Sequence, residues 1–168
     1  MIELELVGVR VDLPANQPIV LLKEKTGTRY LPIWIGAVEA TAIAFALQGV
    51  ETPRPLTHDL FVSVLEGLDV TLEAVHVTEL RDGTFYAELH LDADGDKTVV
   101  SSRPSDAIAL ASRLEAVPIF GAEDVLDEAG LEIDSFDEDG TQVDAEEEVR
   151  QFREFLEGIS PEDFREGS

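Results

Sequence analysis

A strand-to-helix unit occurs twice along this chain, and that repetition limits its possible folds more than any other feature. The first copy is LPIWIGAVEATAIAFAL at residues 31–47; the second is TVVSSRPSDAIALASRL at residues 98–114. In each, a β-rich run meets Gly or Pro and gives way to a helix whose inner face is built on Ala-Ile-Ala. Those triplets, Ala42-Ile43-Ala44 and Ala107-Ile108-Ala109, stand 65 positions apart. Upstream, Leu6, Val9 and Val11 recur as Leu72, Val75 and Val77 at an offset of 66, and one inserted residue reconciles the two. The pattern predicts an α+β fold of duplicated β-β-β-α units, spanning about residues 2–47 and 67–114. Short connections between strands make the sheet mostly antiparallel.

Local signals fill in the elements. Residues 2–12 alternate as a long strand, Ile19 to Leu22 form a short apolar one, and Arg29 to Ile35 return after a turn at Lys25–Thr28. Asp82-Gly83 and Asp94-Gly95 are strong hairpin turns, because Asp and Gly tolerate the positive φ that tight hairpins need. Helices are predicted over Ala37–Gln48, stopped by Gly49, over Thr57–Glu66, stopped by Gly67, over Pro104–Leu114 and over Glu123–Ala129. The second of these lies between the two repeats. Val117 to Phe120 read as a closing strand. Residues 1–130 make one domain, and 131–168 an acidic linker with a C-terminal amphipathic helix bearing Val149, Phe152 and Leu156.

Charge and composition exclude several classes. With 36 acidic and 12 basic residues the net charge is −24, and the stretch 122–168 holds 18 of the acids against three Arg. Such a surface disfavours nucleic acid, whose affinity comes largely from Lys and Arg displacing counterions. No cysteine is present, so disulfides, thiolate metal sites and thiol nucleophiles are excluded, and a cytoplasmic address is expected. MIELELVGVRVDL lacks the form of a signal peptide, and no apolar run reaches the roughly 18 residues that cross a membrane. No Gly-rich phosphate loop follows a strand.

Four segments, LPIWIGAVEATAIA, RPLTHDL, GTFYAELHL and SSRPSDAIALA, resemble in this order the bifunctional nuclease family over about residues 1–130. The ending EEVRQFREFLEGISPEDF resembles the tail of its bacterial members. The resemblance implies a wedge-shaped homodimer with a groove for the active site, and cleavage of both DNA and RNA with little sequence preference.

Glu39, His58, Asp59, Arg103 and Asp106 all fall in or beside the first turn of a predicted helix and are the candidate catalytic residues. Glu39, Asp59 and Asp106 are the candidate ligands for Mg²⁺ or Mn²⁺, hard cations that prefer carboxylate oxygen and keep several waters. His58 can move protons near neutral pH, and Arg103 can clamp a phosphate oxygen. First-turn acids are also favoured by the helix dipole and by capping alone, so the set gains meaning only if the three helix starts meet. Ser102 or Ser105 reads as a helix cap, and His76 and His90 as ordinary sheet positions. The competing expectation is a non-catalytic regulatory homodimer that binds a protein partner through its acidic C-terminal helix. Trp34, Phe45 and Phe61 are candidate dimer anchors.

Overall fold

Alternation along the first strand, shifted by a bulge between Leu6 and Gly8, sends Leu4, Leu6 and Val9 to one side, and the helices gather on that side. The computed structural model describes residues 1–12 and 16–132. In chain order the elements are β1 (Ile2–Asp12), β2 (Gln17–Glu24), β3 (Arg29–Trp34), α1 (Ala37–Gln48), α2 (Thr57–Gly67), β4 (Val70–Arg81), β5 (Thr84–Ala93), β6 (Asp96–Ser102), α3 (Pro104–Ala111), β7 (Ile119–Gly121), α4 (Glu123–Ala129) and β8 (Leu131–Glu132). The strands form an eight-stranded sheet in the order β6-β5-β4-β7-β1-β2-β3-β8. Every neighbouring pair is antiparallel except β4 and β7. The architecture is α+β.

Three strands followed by a helix are traced twice, β1–β3 then α1 and β4–β6 then α3. The short β7 joins the two meanders. Its Ile119 lies opposite Leu4 on one side and opposite Val75 on the other. The core holds Leu4, Val20, Leu22, Leu31 and Ile33 from one meander and Leu72, Val75, Val77, Ala87 and Leu89 from the other. The same core takes in Ile43, Ile108 and Leu126 from the helices. In β2, Ile19 to Leu22 are all buried, as a continuous apolar run implies for a strand covered on both faces.

The hairpin signals correspond to left-handed backbone. Asp82 and Gly83 have φ of 52° and 75°, and Asp94 and Gly95 have 53° and 92°, the positive pairs that tight two-residue hairpins require. Gly49 ends α1 at φ 64°. Three local expectations need correction. Gly67 closes α2 from inside, and the left-handed residue is Asp69 at φ 55°. Helix α3 ends at Ala111 rather than Leu114, because Arg113 and Leu114 donate to carbonyls three residues back, a tightened last turn. Neither Ser102 nor Ser105 caps α3: Pro104 holds the first helical position, so the extended Arg103 becomes the N-cap and Ser105 is buried.

Of the stretch expected to be an acidic linker, Leu131 and Glu132 form β8 against β3. The rest of it, the expected C-terminal helix bearing Val149, Phe152 and Leu156, and the expected partner contact through it lie outside the described residues. Among those described, no helix is long and apolar enough to cross a membrane.

Candidate active site

The Ala-Ile-Ala triplets bring the helix starts together. Ala42 and Ile43 of α1 share the core with Ala107, Ile108 and Ala109 of α3, all nearly inaccessible to solvent. Alanine allows close helix approach, and α3 in turn packs against α2. The N-cap positions are Gly36, Leu56 and Arg103, and none supplies a side-chain cap. Side chains at these starts pair both within a helix, as Arg103 does with Asp106, and between helices, as His58 does with Asp106.

Arg103 is the hub. Its Nε and Nη2 donate to Asp106 Oδ2 and Oδ1 at 2.7 and 3.1 Å, and its Nη1 pairs with Glu39 Oε1 at 3.1 Å. His58 Nε2 lies 2.9 Å from Asp106 Oδ1. Four of the five residues expected from the sequence thus form one continuous polar chain, Glu39–Arg103–Asp106–His58. It spans the first turns of three helices. Arg103 is 65% exposed while the Glu39 and His58 side chains are 18% and 14% exposed, so the cation forms the solvent-facing lid of a mostly sheltered group.

Asp59 takes a different place. Its Oδ1 accepts from Arg113 Nε at 2.7 Å, and its Oδ2 accepts from the Leu56 backbone N–H at 2.9 Å. The second contact is half a capping box; Leu56 has no acceptor to complete it. Arg113, with its side chain only 8% exposed, also donates to Ala109 O at 2.8 Å. Asp59 therefore anchors α2 to the C-terminal end of α3, and both its oxygens are engaged by Arg113 and the Leu56 N–H.

The electrostatics follow from these contacts. Burial pushes the Asp106 carboxyl up, but the Arg103 and His58 bonds and charges outweigh it and hold it below the ordinary carboxylate value. The Arg113 bond, then the Leu56 N–H, lower Asp59. Asp106 raises the Arg103 guanidinium further. Both aspartates are ionised at neutral pH.

Several of the described cations are already engaged elsewhere. Arg29 is bound to Glu24, Glu123 and Asp127, Lys25 to Glu3, and Lys97 to Glu73 and Asp92. Lys23 lies 5.6 Å over the Tyr30 ring. Arg54 is exposed in the loop before α2.

The bifunctional nuclease domain model matches residues 20–134, a span that contains all five candidate residues. The chain belongs to the bifunctional nuclease domain family. A Mycobacterium tuberculosis protein of uncharacterized function is 51% identical over 164 residues, covering 97% of this chain and 98% of that one. Bifunctional nuclease 2 of Arabidopsis thaliana is 32% identical over 114 residues, 64% of this chain and 34% of the plant protein. Bifunctional nuclease 1 of Oryza sativa subsp. japonica is 29% identical over 111 residues, 64% and 33% respectively. The similarity to the plant members thus covers about a third of each.

Two features escaped the sequence reading. One is the pairing of Arg113 with Asp59, which joins residues 54 apart in sequence. The other is a group on the opposite face of the sheet, where His76 and His90, read above as ordinary sheet positions, meet Glu88. Their ligand-type atoms all lie within 4.8 Å of one another, the one such His/Asp/Glu group of three or more among the described residues. Burial first, then the neighbouring His90, hold the His76 imidazole below its ordinary value.

Proposed function

We propose that this chain is a nuclease, hydrolysing phosphodiester bonds of DNA and RNA at the α1–α2–α3 starts, and that it acts as a cytoplasmic homodimer. The observation that carries this reading is the Glu39–Arg103–Asp106–His58 chain, which gathers a proton carrier, a carboxylate pair and a surface guanidinium at one point. Membership of the bifunctional nuclease domain family and the names of the plant relatives support it.

Each residue has a role that follows from its contacts. Asp106 fixes the His58 ring, leaving Nδ1 as the nitrogen free to exchange a proton with substrate or water. Arg103, mostly exposed, is free to turn from the carboxylates onto a phosphate oxygen. Glu39 and Asp106 already converge on one cation, Arg103, and their oxygen donors suit Mg²⁺ or Mn²⁺. A divalent ion held by that pair would supply Lewis-acid activation of water and of the phosphoryl group. Asp59, with both oxygens engaged, positions α2 and hence His58.

The test is hydrolysis of plasmid DNA and single-stranded RNA by the purified chain in Mg²⁺, Mn²⁺ and chelator. The Glu39→Gln/Asp106→Asn and His58→Ala variants are run beside it. Metal-dependent cleavage lost in both variants supports the reading; cleavage that persists in both overturns it. A second reading, a non-catalytic regulatory dimer, draws on the exposed apolar stripe Leu56, Leu60, Val64 and Leu68 that runs along α2 and its two cap positions. A dimer without cleavage by the wild-type chain supports that alternative.

A further inference from the structure

The face of the sheet away from the helices carries a second constellation. His76 on β4 is paired in register with Glu88 on β5 and, on its other side, with Phe120 on β7. His90, two residues beyond Glu88, projects to the same face. Its Nε2 lies 3.2 Å from Glu88 Oε2, and its ring stacks on His76 with centroids 3.8 Å apart and a tilt of 32°. Phe120 meets His76 edge-on at 5.2 Å. The group is shielded on one side and open on the other, with the His90 and Glu88 side chains 30% and 38% exposed.

A backbone irregularity creates this arrangement. The Asp82-Gly83 turn sets a register in which Arg81 faces Thr84 and Glu79 faces Tyr86. Continued unchanged, that register would place His76 opposite Leu89, on the core side. A one-residue bulge at Thr78 shifts the pairing, so Val77 faces Ala87 and His76 faces Glu88. Bulges re-aim side chains in this way beside functional sites.

We propose that His76, Glu88 and His90 form a binding site for a divalent first-row transition ion of the zinc class. Two imidazoles and one carboxylate suit zinc, cobalt or nickel better than magnesium. Around a tetrahedral ion with bonds of about 2.0–2.1 Å, ligand atoms stand roughly 3.4 Å apart. The His90–Glu88 separation is already 3.2 Å, and no pair in the group exceeds 4.8 Å. Side-chain rotation on a paired two-strand frame closes the difference. A shared cation also suits two stacked imidazoles beside a single carboxylate, an arrangement in which two imidazolium charges would repel. Three protein ligands leave a fourth position for water or a further ligand. The site uses none of the nuclease candidates and does not rest on that reading.

The experiment uses the full-length chain, free of affinity tag. Calorimetric titration with ZnCl₂, in excess Mg²⁺ to occupy nonspecific acidic positions, is expected to show one tight ion per chain. Co²⁺ is expected to develop visible ligand-field bands of a tetrahedral centre. His76→Ala/His90→Ala is expected to weaken binding roughly 100-fold or more, and His58→Ala to leave it unchanged. Glu88→Gln, a near-isosteric change, keeps the test valid if the double variant misfolds, and roughly 10-fold weaker binding is expected. NMR of the wild-type chain needs no variant: of the three histidines, His76 and His90 ring signals should shift with Zn²⁺ and His58 should not. Absence of binding in excess Mg²⁺, wild-type affinity in Glu88→Gln, or a shift confined to His58 overturns the proposal.

Discussion

His58 Nε2 lies 2.9 Å from Asp106 Oδ1, so a single contact ties the first turn of α2 to the first turn of α3 across 48 residues of chain. Asp106 also receives two donors from Arg103. One carboxylate therefore orients the imidazole at the helix starts and holds the guanidinium that covers it.

If that carboxylate organises catalysis, Asp106→Asn should lower the hydrolysis rate by about 100-fold while leaving the fold intact. His58→Ala should cost a similar factor. The double variant should lose little more than either single one, because residues acting as a unit are non-additive. Single-turnover rates on one defined oligonucleotide provide the comparison; losses that simply multiply would separate the two residues functionally.

Asp59 should behave unlike Asp106. Since Arg113 and the Leu56 N–H fix its oxygens, Asp59→Asn is expected to change hydrolysis far less than Asp106→Asn. Arg113→Met should let the Asp59 carboxyl rise toward its ordinary value, visible in a carbon-detected NMR titration. With Asp59 more than a third exposed, the stability lost should be only about 1 kcal/mol.

Arg29 presents the stronger stability effect. It neutralises the buried Glu24 and ties the β2–β3 turn to Glu123 and Asp127 of α4. Removing it as Arg29→Ala leaves a buried carboxylate alone and should cost about 3 kcal/mol at neutral pH in urea melts. The Arg29 bond is the main reason Glu24 titrates below 4.5 in the folded chain. The depressed value makes its stabilisation complete above about pH 4.5 and progressively lost as pH falls below it. The gap between wild type and Arg29→Ala should therefore narrow in acid; a gap independent of pH would assign the loss to packing.

The exposed stripe on α2 predicts association. Leu56, Leu60, Val64 and Leu68 recur every fourth residue, with Phe61 beside them and Leu60 53% exposed. Trp34 and Phe45, the other expected anchors, are half-buried. Sedimentation should give twice the 18.4 kDa chain mass at micromolar concentration, and Leu60→Glu/Val64→Glu should give the single chain. A wild-type monomer, or a dimer indifferent to those charges, removes α2 from the interface.

Much of the fold was legible because its signals are local. Asp-Gly at both turns of the second meander demanded positive φ and obtained it, and Gly49 stopped α1 for the same reason. All of the second Ala-Ile-Ala triplet, and Ala42 and Ile43 of the first, became core. Less visible were ends decided by competition, such as α3, where Pro104 displaced the cap to Arg103 and a tightened turn closed the helix at Ala111.

At the candidate site, the sequence by itself determined which residue types stand at three helix starts. Only the tertiary structure decided which of them meet. Packing of α1 and α2 against α3 joined Glu39, Arg103, Asp106 and His58, and the same packing delivered Arg113 to Asp59. On the other face the division is sharper still. Side chains alternate with a period of two, so one extra residue at Thr78 moves His76 from the side of Leu89 to that of Glu88 and His90. No turn motif announces that shift; it is seen only in how β4 pairs with β5.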